Sequence, residues 1–150
     1  MNADAQPDRK TVILAEALRP ALLRVSRALR REAQRVGASA LDAQLLAAVK
    51  KLPGIGVSGL ADREQMTRPS MSGHIKRLEG AGWIERRGDT PEDRRRAGLY
   101  LTVKGGKALD AIRRRRNDWL AARLTALSPE DRATLAAAAR PLTQLAGEPA

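Results

Sequence analysis

Thr67-Arg68-Pro69-Ser70-Met71-Ser72-Gly73-His74-Ile75-Lys76-Arg77-Leu78-Glu79-Gly80-Ala81-Gly82-Trp83-Ile84-Glu85-Arg86-Arg87 is the stretch on which the fold turns. Thr67 has the short hydroxyl side chain of a helix N-cap, and Pro69 falls in the first turn, where a missing N–H does no harm. Met71, Ile75 and Leu78 recur at i, i+4 and i+7, which predicts one buried stripe. The opposite face shows Arg68, Ser70, Ser72, Gly73, Lys76 and Arg77. Gly80 and Gly82 end the helix. Trp83 to Arg87 then reads as a strand, Gly88 to Arg94 as a turn-rich loop, and Ala97 to Leu101 as the returning strand, with Leu99 and Leu101 on one face. The product is a β-hairpin with a long, charged tip.

Upstream, Val57 to Arg63 predicts a short helix with Leu60 facing inward. Before it, Ser39 caps a helix over 41–51 whose apolar face is Leu41, Leu45, Leu46 and Val49, stopped by Leu52-Pro53-Gly54. The segment 11–36 reads as one long helix, apolar at Ile13, Ala17, Leu18, Ala21, Leu22, Val25, Ala28 and Leu29. Arg19, Arg24, Arg27, Arg30 and Arg31 lie opposite. Pro20 predicts a kink or break, and Gly37 ends the helix. Downstream, Thr102 caps a helix over 104–126 with apolar positions Leu109, Ile112, Leu120 and Leu124. Ser128-Pro129-Glu130-Asp131 starts the last helix, which reaches Leu145 and is kinked or broken near Pro141. Residues 1–10 read as a disordered tail.

The formal net charge of +11 is unevenly placed. Residues 63–116 hold 15 basic and 7 acidic side chains, whereas residues 117–150 are net −1. A localised basic surface is the footprint of a polyanion-binding protein. With no cysteine, disulfides, thiolate metal sites and thiol redox sensing are excluded. There is one histidine, His74, with no partners at metal spacing, and no phosphate loop or nucleophile elbow. No cofactor, metal or catalytic residue is therefore assigned. Aromatic residues are scarce, at 2%, so the core must be aliphatic. Trp83 and Trp119 read as packing residues, and Arg113 to Arg116 as a solvated stretch. No apolar run reaches the roughly 18 residues of a membrane span, and Met1 to Lys10 lacks a signal-peptide core. A cytoplasmic protein is the expectation.

Two short helices, a hairpin and a long helix, in that order, describe a helix-turn-helix followed by a wing. The second short helix would enter a major groove roughly 12 Å wide. There Ser70, Ser72 and Gly73 let the backbone approach base edges, while Lys76 and Arg77 reach phosphates or guanine. Three consecutive arginines, Arg94 to Arg96, repel one another at the hairpin tip unless an anion binds. An arginine on such a tip suits the negative potential of a minor groove. Asp93 can pair with a neighbouring arginine and reduce the ordering cost of binding. A non-specific nucleic-acid-binding or architectural protein using the same charges is the alternative.

Met66 to Arg86, with Pro91-Glu92-Asp93-Arg94-Arg95 and Leu99-Tyr100-Leu101-Thr102-Val103-Lys104-Gly105-Gly106, resembles the recognition helix, wing signature and exit helix of MarR-type regulators. The resemblance covers nearly the whole chain. It implies a homodimer whose N-terminal and last two helices interlock about a two-fold axis, with the winged lobes in successive major grooves of palindromic double-stranded DNA. It also implies that Asp93 and Arg95 position the wing, and that Ser72, Gly73 and Arg77 face bases or phosphates. Some members carry arginine where this chain has Gly73. The expected function is a repressor relieved by a small-molecule effector, a phenolic or lipophilic acid. The expected architecture is mainly α with a small β-hairpin wing (α+β). It comprises a winged helix-turn-helix lobe at 37–103 and a helical dimerisation region at 11–36 and 104–146.

Overall fold

The structure, a computed structural model, describes residues 6–88 and 97–147. Its elements run α1 (Arg9–Gln34), α2 (Ala40–Lys51), α3 (Val57–Arg63), α4 (Arg68–Gly80), β1 (Ile84–Arg87), β2 (Gly98–Leu101), α5 (Val103–Thr125) and α6 (Pro129–Leu145). The architecture is mainly helical with one antiparallel hairpin, as the sequence predicts.

The local signals act where they were read. Ser39, Thr67 and Ser128 each accept a backbone N–H from the third residue onward. Thr102 Oγ1 accepts the Gly105 N–H at 2.9 Å and donates to the Gly82 carbonyl at 2.6 Å. Gly37 closes α1 at φ 76°, where a side chain would be strained. Two expectations are corrected. Helix α1 begins inside the predicted tail, at Arg9, because the Asp8 carboxylate accepts the Thr11 N–H at 2.7 Å. Pro20 and Pro141 interrupt neither α1 nor α6. Glu16 and Ala137, whose carbonyls lose a donor, are on exposed turns where water can replace it. Helix α3 ends without glycine: Gln65 takes φ 53°, and Met66 N–H reaches back to the Ala61 carbonyl at 2.9 Å.

The chain divides into two compact units, Met1–Arg115 and Arg116–Ala150. In the first, Leu45, Leu46, Val49, Leu60, Met71, Ile75, Leu78 and Leu99 are fully buried in one aliphatic cluster. A smaller cluster of Ala33, Ala38, Ala43 and Ile112 joins α1 to α2 and α5, and the half-buried Trp83 packs against both. In the second unit, α6 has no buried residue.

The hairpin is tied into the first unit by backbone contacts as well as by the buried side chains of Ile84 and Leu99. Ile84 pairs with Leu101 and Arg86 with Leu99. The loop after α2 joins β2 through an Ile55–Leu99 bridge, with Leu99 N–H donating to Ile55 at 2.9 Å. Gly98 has no room for a Cβ, which would lie 2.6 Å from the Gly54 carbonyl oxygen. Gly105 is tighter still: a Cβ there would drive into the Trp83 carbonyl, so the first turn of α5 rests directly on the chain entering β1.

One long-range ion pair sets the angle between helices. Asp42, in the first turn of α2, is 1% exposed. Its Oδ2 accepts the Ser39 N–H at 2.7 Å, completing a capping box, and also accepts Arg77 Nη1 at 3.0 Å. Arg77 Nη2 donates to Oδ1, making the pair bidentate. Burial disfavours the carboxylate, but the Arg77 hydrogen bonds, the Ser39 N–H and the Arg77 charge outweigh it and hold the Asp42 pKa below its ordinary value.

Two outcomes are expected. Gly105→Ala should destabilise the chain by about 1–3 kcal/mol in urea unfolding, since it overpacks against backbone that cannot yield. Asp42→Ala should cost on the order of 2–3 kcal/mol through the lost cap and charge-assisted bonds. Because the folded pKa of Asp42 is depressed, its contribution is complete above the ordinary value of 3.8 and is lost as pH falls through the folded pKa. Acid titration of unfolding should therefore show a shallower acid limb in Asp42→Ala than in the parent.

Candidate nucleic-acid interface

Helix α4 separates its two faces cleanly. Met71, Ile75 and Leu78 are 0% exposed, which fixes the helix about its own axis. Arg68, Ser70, Gly73 and Lys76 are therefore driven to the solvent side, all exposed, with Ser72 and His74 half-buried at the edge. A Cβ on Gly73 would meet no atom within 4 Å, so the absent side chain serves no packing need and leaves bare backbone on the outer face. Small residues beside cations on a protruding helix admit close approach of a groove floor while the cations reach phosphates.

Arg77 has a partner within the chain: Nη1 and Nη2 each donate to Asp42, and half of the side chain stays exposed. The residues that α4 presents to solvent on its outer face are thus Arg68, Ser70, Gly73 and Lys76, with Ser72 at the edge and Arg77 tied to α2 through Asp42. Asp93, Arg94 and Arg95 lie outside the described residues.

Several positioning contacts were not read from the sequence. Arg86 Nε donates to Glu79 Oε1 at 2.9 Å, joining the end of α4 to β1. Gln44 Nε2 donates to Glu64, joining α2 to the turn before α4. On the outer face of the hairpin, Arg87 lies over the Tyr100 ring, its Cζ 4.4 Å from the centroid. Only Asp42 had a local signal, its place three residues after Ser39; its partner is 35 residues away. Arg115, from the run Arg113 to Arg116, lies 3.6 Å from the buried Glu32, so that run is partly structural. Among the described residues no group of three or more His, Asp or Glu could hold a metal ion. Among the described residues no helix is long and apolar enough to cross a membrane.

Comparison with known proteins agrees with this geometry. The sequence profile of the MarR family matches residues 39–97, from the α2 cap to the start of β2. An uncharacterised HTH-type transcriptional regulator of Mycobacterium bovis is 33% identical over 138 residues, covering 90% of this chain and 94% of its own. A crystal structure described as a transcriptional regulator protein of Pseudomonas aeruginosa superposes with a TM-score of 0.81 at 32% identity, over 95% of this chain and 100% of that one. The multiple antibiotic-resistance repressor (MarR) of Listeria monocytogenes shares the fold, with a TM-score of 0.67 at 17% identity, over 93% of this chain and 99% of that one. Identity sustained across 90% of the chain, together with the buried stripe and exposed cationic face of α4, places this protein in the MarR family of winged helix-turn-helix, DNA-binding transcriptional regulators.

Proposed function

We propose that the chain is a homodimeric repressor that binds a palindromic operator and is released by a phenolic or lipophilic acid. The observation that carries the DNA half of this reading is the outer face of α4. Arg68, Ser70, Gly73 and Lys76 are all exposed there, directly ahead of a hairpin whose tip holds three arginines. Helix α4 supplies base contacts through Ser70, Ser72 and the Gly73 backbone, and phosphate contacts through Arg68 and Lys76. The tip, with Asp93, Arg94 and Arg95, is assigned to the neighbouring minor groove.

Exposed apolar side chains support the homodimer. In the single chain Leu14 is 57% exposed, Leu22 43% and Val25 42% along α1, and Leu135 is 46% and Leu145 73% exposed on α6. Rows of this kind on long helices need covering, and a second copy of the chain offers matching rows. The repressor role has the support of the name borne by the Listeria protein of the same fold. An acidic effector suits a protein whose net charge is +11.

Selection of duplexes from a random pool by the purified protein tests the reading. The expected product is a two-fold symmetric site with half-sites about one helical turn, roughly 34–36 Å, apart. A specificity ratio near one against random DNA would instead mean a non-specific binder. Failure of phenolic and lipophilic acids to dissociate the selected complex would remove the effector. Lys76→Ala should weaken binding by a similar factor on all sequences and lower the salt slope by about one unit, as loss of one phosphate contact does. Electrophoretic titration across a salt series reads both quantities.

A further inference from the structure

The geometry points to Arg87 as a further DNA-contacting residue, a phosphate clamp at the base of the wing that Tyr100 and Glu85 hold ready. The inference rests on the reading of the hairpin as a DNA-binding arm and adds a residue that neither the recognition helix nor the arginine tip supplies.

Arg87 pairs with Gly98, and among the described residues this is the pair nearest the tip. An arm whose tip lies in a minor groove about 6 Å wide must pass between two rows of phosphates. The mouth of the arm is then level with the sugar–phosphate backbone, whichever way the hairpin is turned. A cation at this position meets a phosphate before it meets a base.

The side chain is built for that task. Its guanidinium lies over the Tyr100 ring, on the residue diagonal to it across the ladder. Nε donates to Glu85 Oε1 at 2.9 Å, and Nη2 lies 2.8 Å from the same oxygen. Stacking uses the flat face of the guanidinium, and Glu85 uses one edge. Three of the five N–H donors remain without a partner among the described residues, and the side chain is 62% exposed. The plane is held while an edge stays open, so less conformational freedom is lost when a phosphate arrives. Arg77 differs in its anchor: it grips a buried carboxylate on another helix, whereas Arg87 is held only by residues of the hairpin.

The test uses the duplex enriched by the parent protein from a random pool, titrated across a potassium chloride series. Arg87→Ala should bind it about three- to tenfold more weakly, with a salt slope lower by about one unit and an unchanged unfolding midpoint. Tyr100→Leu should lose part of that affinity with the slope retained, because the charge remains but its plane is no longer held. Arg87→Lys should restore the slope but not the full affinity. If Arg87→Ala binds like the parent while Lys76→Ala is impaired, the clamp is refuted and the reading of the DNA interface stands. If Arg87→Ala weakens binding without altering the slope, Arg87 acts only through the hairpin fold and the clamp is likewise refuted. If neither variant is impaired, the DNA interface itself is wrong and the clamp falls with it.

Discussion

Complete burial of Met71, Ile75 and Leu78 makes α4 an interface. A helix with one dry stripe has its rotation about its own axis set by packing. The remaining face is then presented to solvent in a fixed order, here Arg68, Ser70, Gly73 and Lys76. The stripe is aliphatic because the chain has no phenylalanine, and it meets leucines from α2 and α3 together with Leu99 of the hairpin. Helix and wing therefore share one core. A change that loosens that core moves both α4 and the hairpin.

Packing sets rotation but not tilt, and charge supplies the second restraint. Asp42 is buried and would be costly alone. It is kept ionised by a cap N–H from its own helix and by both arms of Arg77 from α4. The capping box and the ion pair share one carboxylate, so the start of α2 and the last turns of α4 are held as one piece. The division of labour among the arginines follows from their surroundings. Arg77 and Arg86 meet carboxylates on neighbouring elements and serve architecture. Arg87 meets an aromatic face and a carboxylate on its own strand and keeps an open edge.

Close backbone approach completes the frame. Gly98 against Gly54, and Gly105 against Trp83, let the wing and the first turn of α5 rest on neighbouring main chain with no side chain between. Such contacts leave little slack between the hairpin, α5 and the main chain they rest on.

What the sequence determined by itself was everything that depends on near neighbours. Caps at Ser39, Thr67, Thr102 and Ser128, the stripe at i, i+4 and i+7, and the alternation about Leu99 are all short-range patterns, and each appears in the structure as read. The basic middle segment, and with it the polyanion partner, was equally legible because charge is counted without coordinates. Tertiary structure alone decided the use of each cation, since Arg77 and Lys76 are adjacent in sequence and look alike there. Only the fold brings a buried carboxylate from 35 residues away to one of them and leaves the other in solvent. The same holds for Pro20, which breaks no helix, the Glu16 carbonyl it leaves without a donor belonging to an exposed turn, and for Gly105, whose missing side chain matters only once Trp83 lies against it. Local chemistry chooses the elements; contacts between residues far apart in the chain choose what each exposed side chain is free to do.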